Sequence, residues 1–177
     1  EVVVRRDRVS ATGNVNSFSG GTIEFTGVRT REVADARPLW EGVRYTFAGP
    51  WYHLEHTLYQ QQFAGWDNGL GAVAFQFLAE VVLFQGVSGG FVVQRNNGQQ
   101  ILDVLNFLLT QYAAQGMAAP YQIGTIDPAV AFPTYISKPL MCADAIMKCL
   151  EFTPDAKVCF DYSVTPPRVH VRTQPNL

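Results

Sequence analysis

From Phe47 to Thr134 the chain holds a single base, Arg95, and five acids, Glu55, Asp67, Glu80, Asp103 and Asp127. The same stretch holds eleven glutamines, at positions 60, 61, 62, 76, 85, 94, 99, 100, 111, 115 and 122. A free protein surface ordinarily keeps interspersed charges for solubility, whereas the cores of interfaces are depleted of them. The neutral centre is therefore expected to lie partly beneath another chain. The alternative is a solvated surface on which Gln has taken the place of Lys and Glu. The segment from Glu1 to Thr46 differs, with seven Arg and six acids.

Composition bounds the rest. The chain has 177 residues, 47% of them hydrophobic and 16% charged. That apolar share excludes a disordered chain and suits one domain, or two small ones in close contact. A net charge of -2 gives no reason to expect nucleic acid as a partner. No run of about 18 apolar residues is present, so no membrane helix is expected. The N-terminal EVVVRRDR lacks the basic-then-apolar order of a signal peptide and an initiator Met, so an excised or processed segment is expected. Three cysteines do not make a disulfide framework and point to a reducing compartment.

Alternation organises the N-terminal part. Val2 to Val4, Thr22 to Val28 and Gly42 to Ala48 read as strands, with a bulge at Gly27 and a turn at Asp35 to Pro38. Sequential pairing makes an antiparallel meander or partial barrel over residues 1–50. Residues 51–177 read as an α+β unit. Helices are expected near 50–62, 99–115 and 139–151, and a hairpin over 156–173. The first helix follows Pro50, with Trp51, Leu54 and Leu58 at helical spacing. The second, after Asn96-Asn97-Gly98, has a stripe of Ile101, Leu105, Leu108 and Tyr112, widened by Leu102, Val104 and Leu109. The third has Ser137 as its cap and buries Met141, Ala145, Ile146, Cys149 and Leu150. Residues 72–85 fit a strand pair or a helix equally, 91–94 reads as a short strand, and 116–134 reads as a long connection.

Candidate chemistry is sparse. His53 and His56 flank Glu55 on the first helix, but the spacing is not that of a zinc-binding His-Glu-x-x-His, and two outward polar residues account for it. Cys142 and Cys149 lie about 10 Å apart by helical rise, too far for a disulfide, and Cys149 sits in an apolar stripe. Asp155 belongs to a turn, and Asp161 faces Arg168 or Arg172 across the hairpin. No phosphate loop, dinucleotide fingerprint or nucleophile elbow occurs. No catalytic, cofactor-binding or metal-binding residue is expected. The interface candidates are Tyr59, Gln60, Gln61, Gln62 and Trp66, the last an aromatic on the polar loop GWDNGLG.

Two blocks carry a family resemblance. The first joins GGTIEFTGVRT, from Gly20, to GVRYTFAGPWYHLEHTLYQQ, ending at Gln61. The second is CADAIMKCLEFTPDAKVCFDYSVTPPRVHVR, Cys142 to Arg172. Together they resemble the N-terminal half of phage or prophage tail proteins of the baseplate-hub type, related in plan to late control proteins. The resemblance implies a tail-tube-like partial barrel with a helical insert and a C-terminal hairpin. It implies a structural protein in a threefold homo-oligomeric ring, touching tail-tube and spike proteins, in the virion tail or the host cytoplasm. It implies no cofactor and no activity. A tail-associated cell-wall hydrolase would instead need His53, Glu55 and His56 to meet His170 or Asp161 in one cleft. A carbohydrate-binding module would use Trp66.

Overall fold

The structure is a computed structural model. It describes the backbone of residues 2–6, 22–37, 40–64, 75–77, 80–88, 91–151 and 153–173, with side chains from 48 onward except those of 62–64, 75–77, 87 and 91. The fold is mixed α+β, with small, mostly antiparallel sheets and three helices, and no closed barrel forms among the described residues.

The alternating N-terminal segments pair as a meander. Strand β1 (Val2–Arg6) lies beside β2 (Thr22–Arg37), and β2 beside β3 (Trp40–Ala48), all antiparallel. The β2–β3 ladder runs from Val28 opposite Ala48 to Arg37 opposite Trp40. Asp35, Ala36 and Arg37 are thus ladder residues rather than part of the expected turn, whose Pro38 lies outside the described residues. The ladder irregularities fall between Val4 and Arg5 and between Arg29 and Arg31, not at Gly27.

Helix α1 spans only Trp51–Glu55, shorter than the spacing over 50–62 predicts. Two side chains end it by taking carbonyls that a longer helix would use. His56 Nδ1 bonds the Tyr52 carbonyl at 2.8 Å, and Thr57 Oγ1 donates to the His53 carbonyl at 2.8 Å. The chain then runs extended. Leu58 forms a β-bridge with Met141, the Tyr59 N–H donates to the Leu140 carbonyl, and the Cys142 N–H donates to the Thr57 carbonyl.

The neutral centre forms short two-stranded ribbons. Strand β4 (Gln62–Ala64) pairs with β5 (Phe75–Phe77). Strand β6 (Val81–Leu83) pairs across the chain with a later strand, and β7 (Gln85–Ser88) forms a hairpin with β8 (Phe91–Gln94). Residues 72–85 are therefore strand-forming where they are described. Helix α2 (Asn97–Ala114) opens with a full capping box, in which Asn96 Oδ1 accepts from the Gln99 N–H and Gln99 returns a bond to the Asn96 N–H. It closes at Gly116, whose φ of +67° L side chains rarely adopt. There Gly116 N–H donates to the Ala113 carbonyl and Met117 N–H to the Tyr112 carbonyl, a Schellman pattern.

The connection expected over 116–134 contains a strand, β9 (Gln122–Ile126). Strand β10 (Tyr135–Ser137) then pairs with β6, and helix α3 (Cys142–Leu150) follows. Ser137 is thus a strand residue, and Met141 takes the cap position without a side-chain bond. Strands β11 (Ala156–Asp161) and β12 (Arg168–Thr173) form the hairpin. β12 also pairs in parallel with β9, so the sheet order is β11-β12-β9.

The core gathers the apolar faces of α2 and α3 with this sheet. Ile101, Leu105, Leu108, Ile146, Val169 and Val171 are fully buried, along with Leu54 and Leu83. Leu102, expected in the stripe, lies on the outer side, and Met141 is exposed at the start of α3. Gly98 lets the Pro128 carbonyl oxygen lie against the first turn of α2, where a Cβ would overlap it.

Candidate functional site

Among the interface candidates, the residues from 58 onward sort by the period of an extended strand. Leu58 and Gln60 are exposed; Tyr59 and Gln61 are buried. Tyr59 and Gln61, two of the expected interface residues, turn inward and bond within the fold. Gln61 Nε2 donates to the Val82 carbonyl at 2.7 Å and its Oε1 accepts the Val82 N–H at 2.6 Å, so one side chain pairs with β6 as a strand would. Gln100, fully buried, accepts the Phe84 N–H at 2.8 Å and donates to the Tyr59 hydroxyl at 3.1 Å. Burial raises the Tyr59 phenol well above its usual range, with the Gln61 side chain opposing. Gln60 offers its side chain to solvent. Gln62 lies in β4 opposite Phe77, its side chain outside the described residues, as is all of Trp66.

Asn97 completes the internal amides. It is fully buried, donates to Thr153 Oγ1 at 2.8 Å and accepts the Val130 N–H at 2.8 Å. An amide donates and accepts at once, which no charged side chain does. It is suited to irregular ribbons whose N–H and C=O groups lack ladder partners, so part of the glutamine enrichment is structural. The one base of the centre, Arg95, pairs with Asp103 at 3.2 Å. Burial raises the Asp103 carboxyl and Arg95 opposes the shift.

The titratable candidates do not converge. The Tyr112 hydroxyl lies 2.6 Å from His53 Nδ1, and burial, followed by the neighbouring His56, lowers the His53 pKa. His56 stacks on Tyr52 with ring centroids 4.0 Å apart. His170 is buried in the β9–β12 pair, where its Nδ1 accepts the Thr125 N–H at 2.9 Å and its ring covers Gly124. Asp161 sits opposite Arg168 and its Oδ1 accepts the Ser163 N–H; the Ser163 side chain first, and then this N–H, lower its pKa. Cys142 and Cys149 are free and buried, and burial pushes both thiols up to about 12, so they stay protonated. Among the described residues no three His, Cys, Asp or Glu side chains are grouped to hold a metal. No described helix is long and apolar enough to cross a membrane.

Sequence reasoning missed a groove. It encloses about 670 Å³ between α1, α3 and β11, and its lining includes Trp51, Met147, Leu150, Val158 and Phe160 together with Glu151 and Lys157. A second cleft of about 460 Å³ shares Met147 and Glu151 and adds Tyr135, Leu140 and Lys148. Met147 is 56% exposed and Ile136 61%. Lys148 pairs with Glu151 and lies 4.7 Å from the centre of the Tyr135 ring. β11 is an edge strand of its described sheet, and its Val158 and Phe160 line this apolar surface. The missed signal was Met147 on α3, which a stripe drawn through Met141 left on the polar side.

The chain matches no protein family, no curated protein and no solved structure.

Proposed function

We propose that the chain is a structural assembly protein whose work is done by its surfaces. More narrowly, it is a baseplate-hub-type component of a phage or prophage tail, acting in the virion tail or the host cytoplasm. Its partners are sibling copies in a ring, the tail tube and the spike. In this reading β1, β2 and β3 belong to a tail-tube-like partial barrel, and the rest is its α+β insert with the C-terminal hairpin.

The observation that carries the reading is the open apolar groove along edge strand β11. Exposed apolar surface beside the edge of a described sheet is what a second chain covers in ring-forming subunits. The test is light scattering across protein concentration, with binding to tail-tube and spike proteins measured in parallel. The expected result is concentration-dependent association of three copies, abolished by Met147→Glu, a change at an exposed position that leaves the core intact. A chain that stays monomeric and retains neither partner refutes the proposal.

A further inference from the structure

A different part of the surface carries a binding site that does not depend on the assembly reading. Nine of the glutamines have described side chains. Five of them, Gln61, Gln85, Gln94, Gln99 and Gln100, are tied within the fold. Of the other four, Gln60, Gln111 and Gln115 line one cleft of about 360 Å³ between the segment after α1 and the C-terminal half of α2. Only Gln122 lies elsewhere. The cleft's remaining walls are Thr57, Leu58, Phe107, Tyr112 and Met117.

No charged side chain lines it, so an ionic ligand finds no counter-charge. What it offers is three carboxamides with unspent donors and acceptors, beside an apolar strip of Leu58, Phe107 and Met117. The walls are fixed. Phe107 packs edge-on against buried Tyr59 with ring centroids 5.4 Å apart, and the Tyr112 hydroxyl is anchored on His53 at 2.6 Å. Thr57 spends its proton on the His53 carbonyl, which leaves its lone pairs to accept. The volume lies in the range of small-molecule pockets, about 300–1,000 Å³.

We infer that this cleft binds a neutral sugar unit of a glycan. Each vicinal hydroxyl of a sugar both donates and accepts, as a carboxamide does, and its C–H face matches the apolar strip. A peptide would use the amides too, but a peptide reaching them would favour an extended groove with side-chain pockets, and this cleft is short.

The experiment is titration of the purified chain with the hexasaccharides of chitin, cellulose and starch, and with tetraglycine as the peptide arm. Saturation-transfer NMR supplies contacts and calorimetry supplies affinity. At least one saccharide should bind, with saturation passing from the Leu58, Phe107 and Met117 protons. Gln111→Ala and Gln115→Ala should each weaken it about tenfold or more, while Gln122→Ala changes nothing. Unchanged melting temperatures for these exposed or half-exposed positions keep folding out of the result. The inference is overturned if no saccharide binds, if binding survives both substitutions, or if tetraglycine alone occupies the cleft.

Discussion

Replacing Gln100 with Leu keeps the side-chain volume close to native and removes only the amide. The Phe84 N–H then loses its acceptor in a site with no solvent, and Phe84 is 2% exposed with φ at +64°. An orphaned buried N–H costs about 1–3 kcal/mol, and the lost bond to the Tyr59 hydroxyl about 1 kcal/mol more. The left-handed Phe84 also loses the bond that holds it in a conformation worth about 1–3 kcal/mol of strain, so relaxation recovers part of the loss. The expected destabilisation is about 2–4 kcal/mol. With a urea dependence of about 1–3 kcal/mol per molar, the unfolding midpoint should fall by roughly 1–2 M. The control is the same chemical change at an exposed position, Gln115→Leu, expected within about 0.5 kcal/mol of the parent. Gln100→Glu adds a sign. It keeps the acceptor for Phe84 but buries a carboxyl, whose folded pKa rises above its unfolded value near 4.3. Its stability should therefore be fullest below that value and decline as pH rises through the folded pKa. If Gln100→Leu proves no less stable than Gln115→Leu, the tying role given to the buried amides is wrong.

Two further outcomes follow from the same geometry. Gly98→Ala should lower the melting temperature, by an amount equivalent to about 1–3 kcal/mol, although Ala favours a helix, because the new methyl overlaps the Pro128 carbonyl oxygen; a raised melting temperature would contradict that packing. His53 has a folded pKa lowered by burial and then by His56, so the unfolded chain takes up its proton first and stability falls as pH drops below about 6.5. Chemical unfolding between pH 7.5 and 5.5 should show a decline that is shallower in His53→Gln, and equal slopes would remove His53 as the cause.

Legibility followed locality. The start of α2 was readable because its capping box lies within four residues, Asn96 to Gln99. Its stop at Gly116 was readable for the same reason. The end of α1 was not, because it depends on Leu58 bridging to Met141, more than eighty positions away, as well as on two back-bonding side chains. β9 was missed because QIGTI is short and half polar, and its Gly124 answers to the His170 ring, which local pattern does not show. The glutamine run was misread by period. As a helix it offers one mixed face, whereas as an extended segment Tyr59 and Gln61 point in and Gln60 points out. Which amides spend themselves inside and which stay free on the surface is settled only by neighbours distant in sequence.

The placement of β12 has a consequence for the order of biosynthesis. It is the middle strand of its sheet, yet it is made after both of its neighbours, β11 and β9. While the ribosome is still extending the chain, β9 has emerged without its parallel mate, and the hydrophobic floor beneath α2 and α3 lacks Val169 and Val171. The carboxyl-terminal hairpin is thus the keystone, and a nascent polypeptide halted before residue 168 holds a vault it cannot close.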